Sequence, residues 1–126
     1  MKAYLAKANR AARSAHLLSD DGDFNGAASR GYYACFFSAR AALAAFDPEP
    51  VDAKTHATVI RRFGLLVVSR NDLDRGYGRA LRTAYQIREI ADYAMADVKQ
   101  ERARKLLDEM DRFVAAVVNS ISSKIP

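Results

Sequence analysis

The chain predicts an all-α fold, a five-helix up-and-down bundle in one domain over residues 1–126, and three observations carry that reading. Its segments are rich in alanine and repeat apolar residues at helical spacing. It has three prolines, two of them together at Pro48 and Pro50, between two such segments. Polar turn formers gather at residues 19–23 and 70–76, in connections short enough to favour antiparallel neighbours. With 126 residues, 50% of them hydrophobic, the chain can build one core but not two.

The first helix is expected over residues 2–18, where Leu5, Ala8, Ala12 and Ala15 form a narrow stripe with Lys7, Arg10 and Arg13 outside it. Ser19, Asp20, Asp21, Gly22 and Asp23 end it, and these aspartates most simply serve as caps. The second helix, over residues 23–46, is apolar nearly all round. Tyr32, Phe36, Ala39 and Leu43 lie on one side, Tyr33 and Phe37 beside them with Arg30 and Arg40, and small alanines elsewhere. Such a helix belongs at the centre of a bundle. Asp47-Pro48-Glu49-Pro50 stops it.

A third helix is expected over residues 55–69, with Thr55 as cap and Ile60, Phe63, Leu66 and Val67 inward. A fourth spans residues 77–96, its apolar side formed by Leu81, Ala84, Ile87, Ala91, Ala94 and Met95. Asp97 is the expected cap of a fifth over residues 98–122, whose stripe is Leu106, Met110, Phe113, Val117 and Ile121. The tail from Ser122 to Pro126 is expected to fray.

The formal charge of +5 and a pI near 9.6 admit an acidic partner such as RNA, a nucleotide or an acidic protein. Cys35, the single cysteine, allows no internal disulfide and reads as a small core residue in a reducing compartment. No apolar run reaches the roughly 18 residues that span a bilayer, and the N-terminus lacks the apolar core of a signal peptide. A cytoplasmic protein without a membrane segment is expected. With one cysteine and two separated histidines, no metal site and no cofactor are expected.

The chemistry-bearing residues are few. Arg88 and Asp92 stand one turn apart at the edge of the fourth helix's apolar side. Two readings are open: a structural ion pair, or an arginine held by a carboxylate so that its fork faces a phosphate. Tyr93 lies about 140° round the helix from Arg88 and faces another helix or subunit. The aromatic run Tyr32, Tyr33, Phe36 and Phe37 reads as core before it reads as a base-stacking platform. His16 reads as structural. His56, near a helix start, reads as capping or packing, with a general base as its functional alternative. No Gly-rich phosphate loop and no nucleophile elbow occur.

The segment from Gly22 to Ala34, with its Arg30-Gly31-Tyr32-Tyr33-Ala34 core, resembles the entry to the second helix of small stand-alone prokaryotic HEPN-domain proteins. Lys54-Thr55-His56 with Phe63 looks like that branch's third helix, and Arg88-Glu89-Ile90-Ala91-Asp92-Tyr93 like its Arg-x-x-x-Asp-Tyr motif. The resemblance implies a five-helix bundle, usually a homodimer, that pairs with a minimal nucleotidyltransferase in toxin-antitoxin-like modules. Many HEPN proteins are metal-independent endoribonucleases with an Arg-x(4-6)-His motif. Here the arginine is Arg88, but position 93 is tyrosine, a poor base near neutrality. The leading expectation is therefore an RNA- or nucleotide-binding protein working through Arg30, Tyr33 and Arg88. An endoribonuclease using Arg88, Asp92 and Tyr93, with His56, stands as the alternative. A non-catalytic interaction module is the third.

Overall fold

The computed structural model describes residues 1–47 and 55–124. It contains α1 (Lys2–Asp20), α2 (Phe24–Phe46), α3 (His56–Ser69), α4 (Gly76–Tyr93) and α5 (Gln100–Lys124), and no strand among those residues. The expected stop at Pro48 and Pro50, Lys54, and the last two tail residues lie outside them.

The all-α bundle is organised around α2, which packs against each of the other four helices. Alanine makes this possible. Ala27, Ala28, Ala34, Ala39, Ala41 and Ala42 are fully buried on different sides of α2, so neighbours approach its backbone closely. Tyr32, Cys35, Phe36 and Leu43 fill the space between. Burial pushes the Cys35 thiol well above its ordinary pKa, and Glu109 and Asp111 add to the effect, so it remains an inert core residue. The α5 stripe is buried as its spacing requires, with Phe113 against Phe63 at 5.2 Å and against Tyr77 at 5.5 Å. On α3 the inward face is Val59, Phe63 and Val67, with Ile60 and Leu66 half-buried. Gly78 of α4 meets α3 so closely that an added Cβ would stand 3.4 Å from the Gly64 Cα.

Three helix ends, at two of the junctions, follow local chemistry. The α1 terminus is a Schellman turn: Asp23 N–H donates to the Leu18 carbonyl, Gly22 N–H to that of Ser19, and Gly22 takes φ +87°. Asp23 then caps α2, accepting from Gly26 N–H at 2.8 Å. Thr55 caps α3, accepting from Thr58 N–H.

The α4–α5 junction departs from expectation. The fourth helix ends at Tyr93 rather than Ala96, Ala94 is extended, and Met95 is wholly exposed instead of sharing the apolar side. Nor does Asp97 cap α5, which starts at Gln100. Asn25 of α2 is the cause. Its side-chain amide donates to Asp97 at 2.9 Å and accepts from Val98 N–H at 2.8 Å, so the linker is drawn across to α2 and the helix opens late. On α1 the buried stripe is Ala8, Ala11 and Ala15, with Leu5 and Ala12 half-buried. His16 leaves that stripe to meet the Asp111 carboxylate at 3.0 Å, an exposed tie from α1 to α5.

Candidate functional site

One side of α2, the first turn of α3 and the second half of α4 converge on an aromatic cluster with charge at its rim. Tyr32 is fully buried at its centre, with the rings of Tyr33, His56 and Tyr85 all within 5.5 Å of it. The His56 ring lies 4.6 Å from that of Phe36, and its Nδ1 is 2.6 Å from the Tyr32 hydroxyl. The Thr55 cap sets this position: it starts α3 so that its first residue, His56, points at α2.

Arg88 approaches the cluster from α4. Its guanidinium stands 5.4 Å from the Tyr33 ring centre and 5.8 Å from that of Tyr32, within cation–π range of both. Arg30, from α2 itself, stands 5.4 Å from the same Tyr33 ring. A half-buried tyrosine therefore carries two guanidinium groups. Arg88 Nε donates to Asp92 at 3.0 Å, whereas Arg30 has no ion pair among the described residues. Glu89 stands one turn on from Tyr85, as Asp92 does from Arg88, and its carboxylate raises the Tyr85 pKa.

The electrostatics follow from this placement. Burial favours neutral His56, the Arg88 charge acts in the same direction and Glu89 opposes both, so the imidazole titrates below its ordinary value. For Arg88, burial works against the charge, but Tyr33, Asp92 and Tyr93 together outweigh it and hold the pKa above the usual range. Burial drives the Tyr32 phenol far above its ordinary value despite Arg88. A fixed guanidinium, a second one beside it and a neutral imidazole make a site suited to a phosphate, with aromatic faces alongside.

Of the residues singled out in the sequence, His16 lies apart on its tie to Asp111, and the candidate site residues gather at this cluster. Arg30, Tyr33, His56, Arg88 and Asp92 line it, and Tyr93 stands at its edge, exposed at the end of α4 yet within electrostatic reach of Arg88. Tyr93 is 72% exposed rather than buried against another helix. Tyr32 and Phe36 belong to the core, as expected. Sequence reasoning passes over Tyr85 and Glu89, although their i,i+4 spacing on α4 repeats that of Arg88 and Asp92. Two open hollows of about 640 and 660 Å³ lie elsewhere, along the seam of α4 and α5, and neither is lined by Arg30, His56 or Arg88. Among the described residues no three His, Cys, Asp or Glu side chains gather as metal ligands would, and no helix is long and apolar enough to cross a membrane.

The HEPN domain model matches residues 1–121. The chain belongs to the HEPN-domain family. A Methanocaldococcus jannaschii relative named "Putative toxin MJ0605" is 32% identical over 108 residues, covering 86% of this chain and 78% of that one. The Gloeobacter violaceus "UPF0332 protein glr0978" is 31% identical, covering 86% and 85%. A second M. jannaschii relative, "Putative toxin MJ0142", is 28% identical, covering 95% and 80%. In this HEPN chain the family's helical bundle brings Arg88 and His56, 32 positions apart by their numbers, to the same aromatic cluster.

Proposed function

We propose that this HEPN protein is the toxin-like member of a two-component module. In this reading it binds RNA or nucleotide phosphate through Arg30, Tyr33 and Arg88 and works with a minimal nucleotidyltransferase. The observation that carries the reading is the pair of guanidinium groups on one half-buried tyrosine ring, with a carboxylate bonded to only one of them. Arg88, steadied by Asp92, has Nη groups left to form a fork, and Arg30 supplies a second cation. The Tyr33 face adds a stacking surface beside the phosphate. The basic balance of the whole chain favours an acidic ligand over a neutral one. Relatives that bear the name "Putative toxin" support the toxin-like role, and the pairing is what the family resemblance implies. Exposed Tyr93 and Met95 at the end of α4 suit a homodimer that sets two such sites side by side.

The test is binding of short single-stranded RNA at several salt concentrations. Log affinity should fall linearly with log salt, by about 0.7 per phosphate neutralised. Arg88→Ala and Arg30→Ala should each lower both affinity and slope while the far-UV spectrum stays helical. Wild-type protein that binds neither RNA nor nucleotide at low salt sinks the reading. The partnership is tested separately by the adjacent reading frame: a minimal nucleotidyltransferase found there and co-expressed with this chain should co-elute with it. Cleavage of an RNA panel without added metal, lost in Arg88→Ala, would establish the endoribonuclease alternative instead.

A further inference from the structure

The hydroxyl of buried Tyr32 has one hydrogen-bond partner among the described residues, Nδ1 of His56. The direction of that bond decides what His56 can do. Tyr32 is a neutral phenol with one proton, enclosed by aromatic rings. Were Nδ1 to donate, the phenolic proton would be left without an acceptor, at the full desolvation penalty of an unmet donor. With Tyr32 donating to Nδ1, every proton is placed. A neutral imidazole whose Nδ1 accepts carries its own hydrogen on Nε2.

Resting on the phosphate-binding reading above, we propose that Tyr32 locks His56 as the Nε2–H tautomer. Nε2–H and the Arg88 guanidinium then form a two-donor cradle for one phosphate group of a nucleotide or RNA chain. Nε2 has no hydrogen-bond partner among the described residues, so its donor is free for a ligand. The groups facing the imidazole are Phe36, Tyr32, Tyr33 and Tyr85 by their rings, and Arg88 and Glu89 by their charges. Burial and the Arg88 charge disfavour a cationic His56, Glu89 alone favours it, and the positive end of α3 adds to the opposition, so the imidazole is neutral near pH 7. His56 is thereby a donor and not a base: Nδ1 is occupied and Nε2 already carries hydrogen. A ribose hydroxyl held near a phosphate at this site finds no proton acceptor on His56. His56 therefore does not restore the proton acceptor that Tyr93 fails to provide.

Long-range ¹H–¹⁵N spectra of uniformly ¹⁵N-labelled protein near neutral pH test this directly. The His56 signals should report the Nε2–H form, and titration with inorganic phosphate should shift Nε2 together with Arg88 Nε. Tyr32→Phe should convert His56 to a mixture of tautomers. For binding of a short single-stranded RNA, His56→Gln, which keeps an N–H donor, should stay within about threefold of wild type, and His56→Leu should lose about tenfold or more. A predominant Nδ1–H form overturns the proposal, as does an unchanged tautomer in Tyr32→Phe, or wild-type affinity in a folded His56→Leu. If Arg88→Ala abolishes RNA binding while His56→Leu does not, the cradle alone fails. If Arg88→Ala binds as wild type does, the underlying site reading fails.

Discussion

Arg88 is 14% exposed and Asp92 29%, so their hydrogen bond lies between the aromatic cluster and water. Such a pair is neither a solvated surface contact of negligible value nor a buried one whose loss unfolds the chain. Asp92→Ala leaves the guanidinium against Tyr32 and Tyr33 without its carboxylate, and should cost about 1–2 kcal/mol in urea unfolding. It should also weaken RNA binding less than Arg88→Ala does, because the charge stays and only its orientation is lost. A loss of several kcal/mol in either variant would make the pair a piece of architecture first. His56 gives a second expectation. Its folded-state pKa lies below the ordinary value near 6.5, so the unfolded chain takes up the proton first. The stability that neutral His56 contributes is complete above about 6.5 and declines as pH falls through the folded value. Urea midpoints across that range should drop in wild type and lose this step in His56→Gln; parallel profiles would refute it.

At the level of the helices, ends are decided by side chains close in sequence, except where a distant residue intervenes. Gly22 occupies a left-handed backbone, and a Cβ added there would meet nothing within 4 Å, so its substitution tests conformation alone. Gly22→Ala should cost about 1 kcal/mol from the left-handed penalty, with no clash added. Asp23→Ala should cost about 1 kcal/mol through the lost cap on α2. Thermal unfolding of both variants checks this, and an unchanged midpoint in Gly22→Ala would mean that the turn rearranges. These junctions are legible because the capping residue and the capped amide lie within three positions of one another. The start of α5 is not. Asp97 has the right chemistry and place for a cap, yet Asn25, 72 positions away, takes its carboxylate and the Val98 amide. Periodicity likewise extends α4 to Met95, because it registers an apolar spacing and not the pull on the linker that follows.

For the molecule as a whole, the all-α class and the central place of α2 can be read from composition and an all-round apolar wheel. The cluster of the site cannot, because its decisive contact joins Tyr32 to His56 across two helices and no spacing rule relates them. The same holds for the contact that ties the far end of the bundle together. Arg70 lies 3.6 Å over the Phe46 ring of α2 and donates through Nε and Nη2 to both oxygens of Asp72, at 2.9 Å each. Asp72 in turn accepts from the Ser120 hydroxyl of α5, so one carboxylate joins the α3–α4 connector to two other helices. The Arg70 hydrogen bond first, and that of Ser120 second, lower its pKa from 3.8 to about 2. A depressed carboxylate pKa contributes stability that is complete above the unfolded value and is lost as pH falls toward the folded one. Water screens a carboxylate that is 42% exposed, so the effect is local and modest. Between about pH 4 and pH 2, wild-type stability should therefore fall more steeply than that of Asp72→Asn, measured by urea unfolding at each pH. Ser120→Ala should lie between them, and amide exchange in the connector should quicken in both variants. Equal acid profiles for wild type and Asp72→Asn would remove Asp72 as the link between the connector and α5.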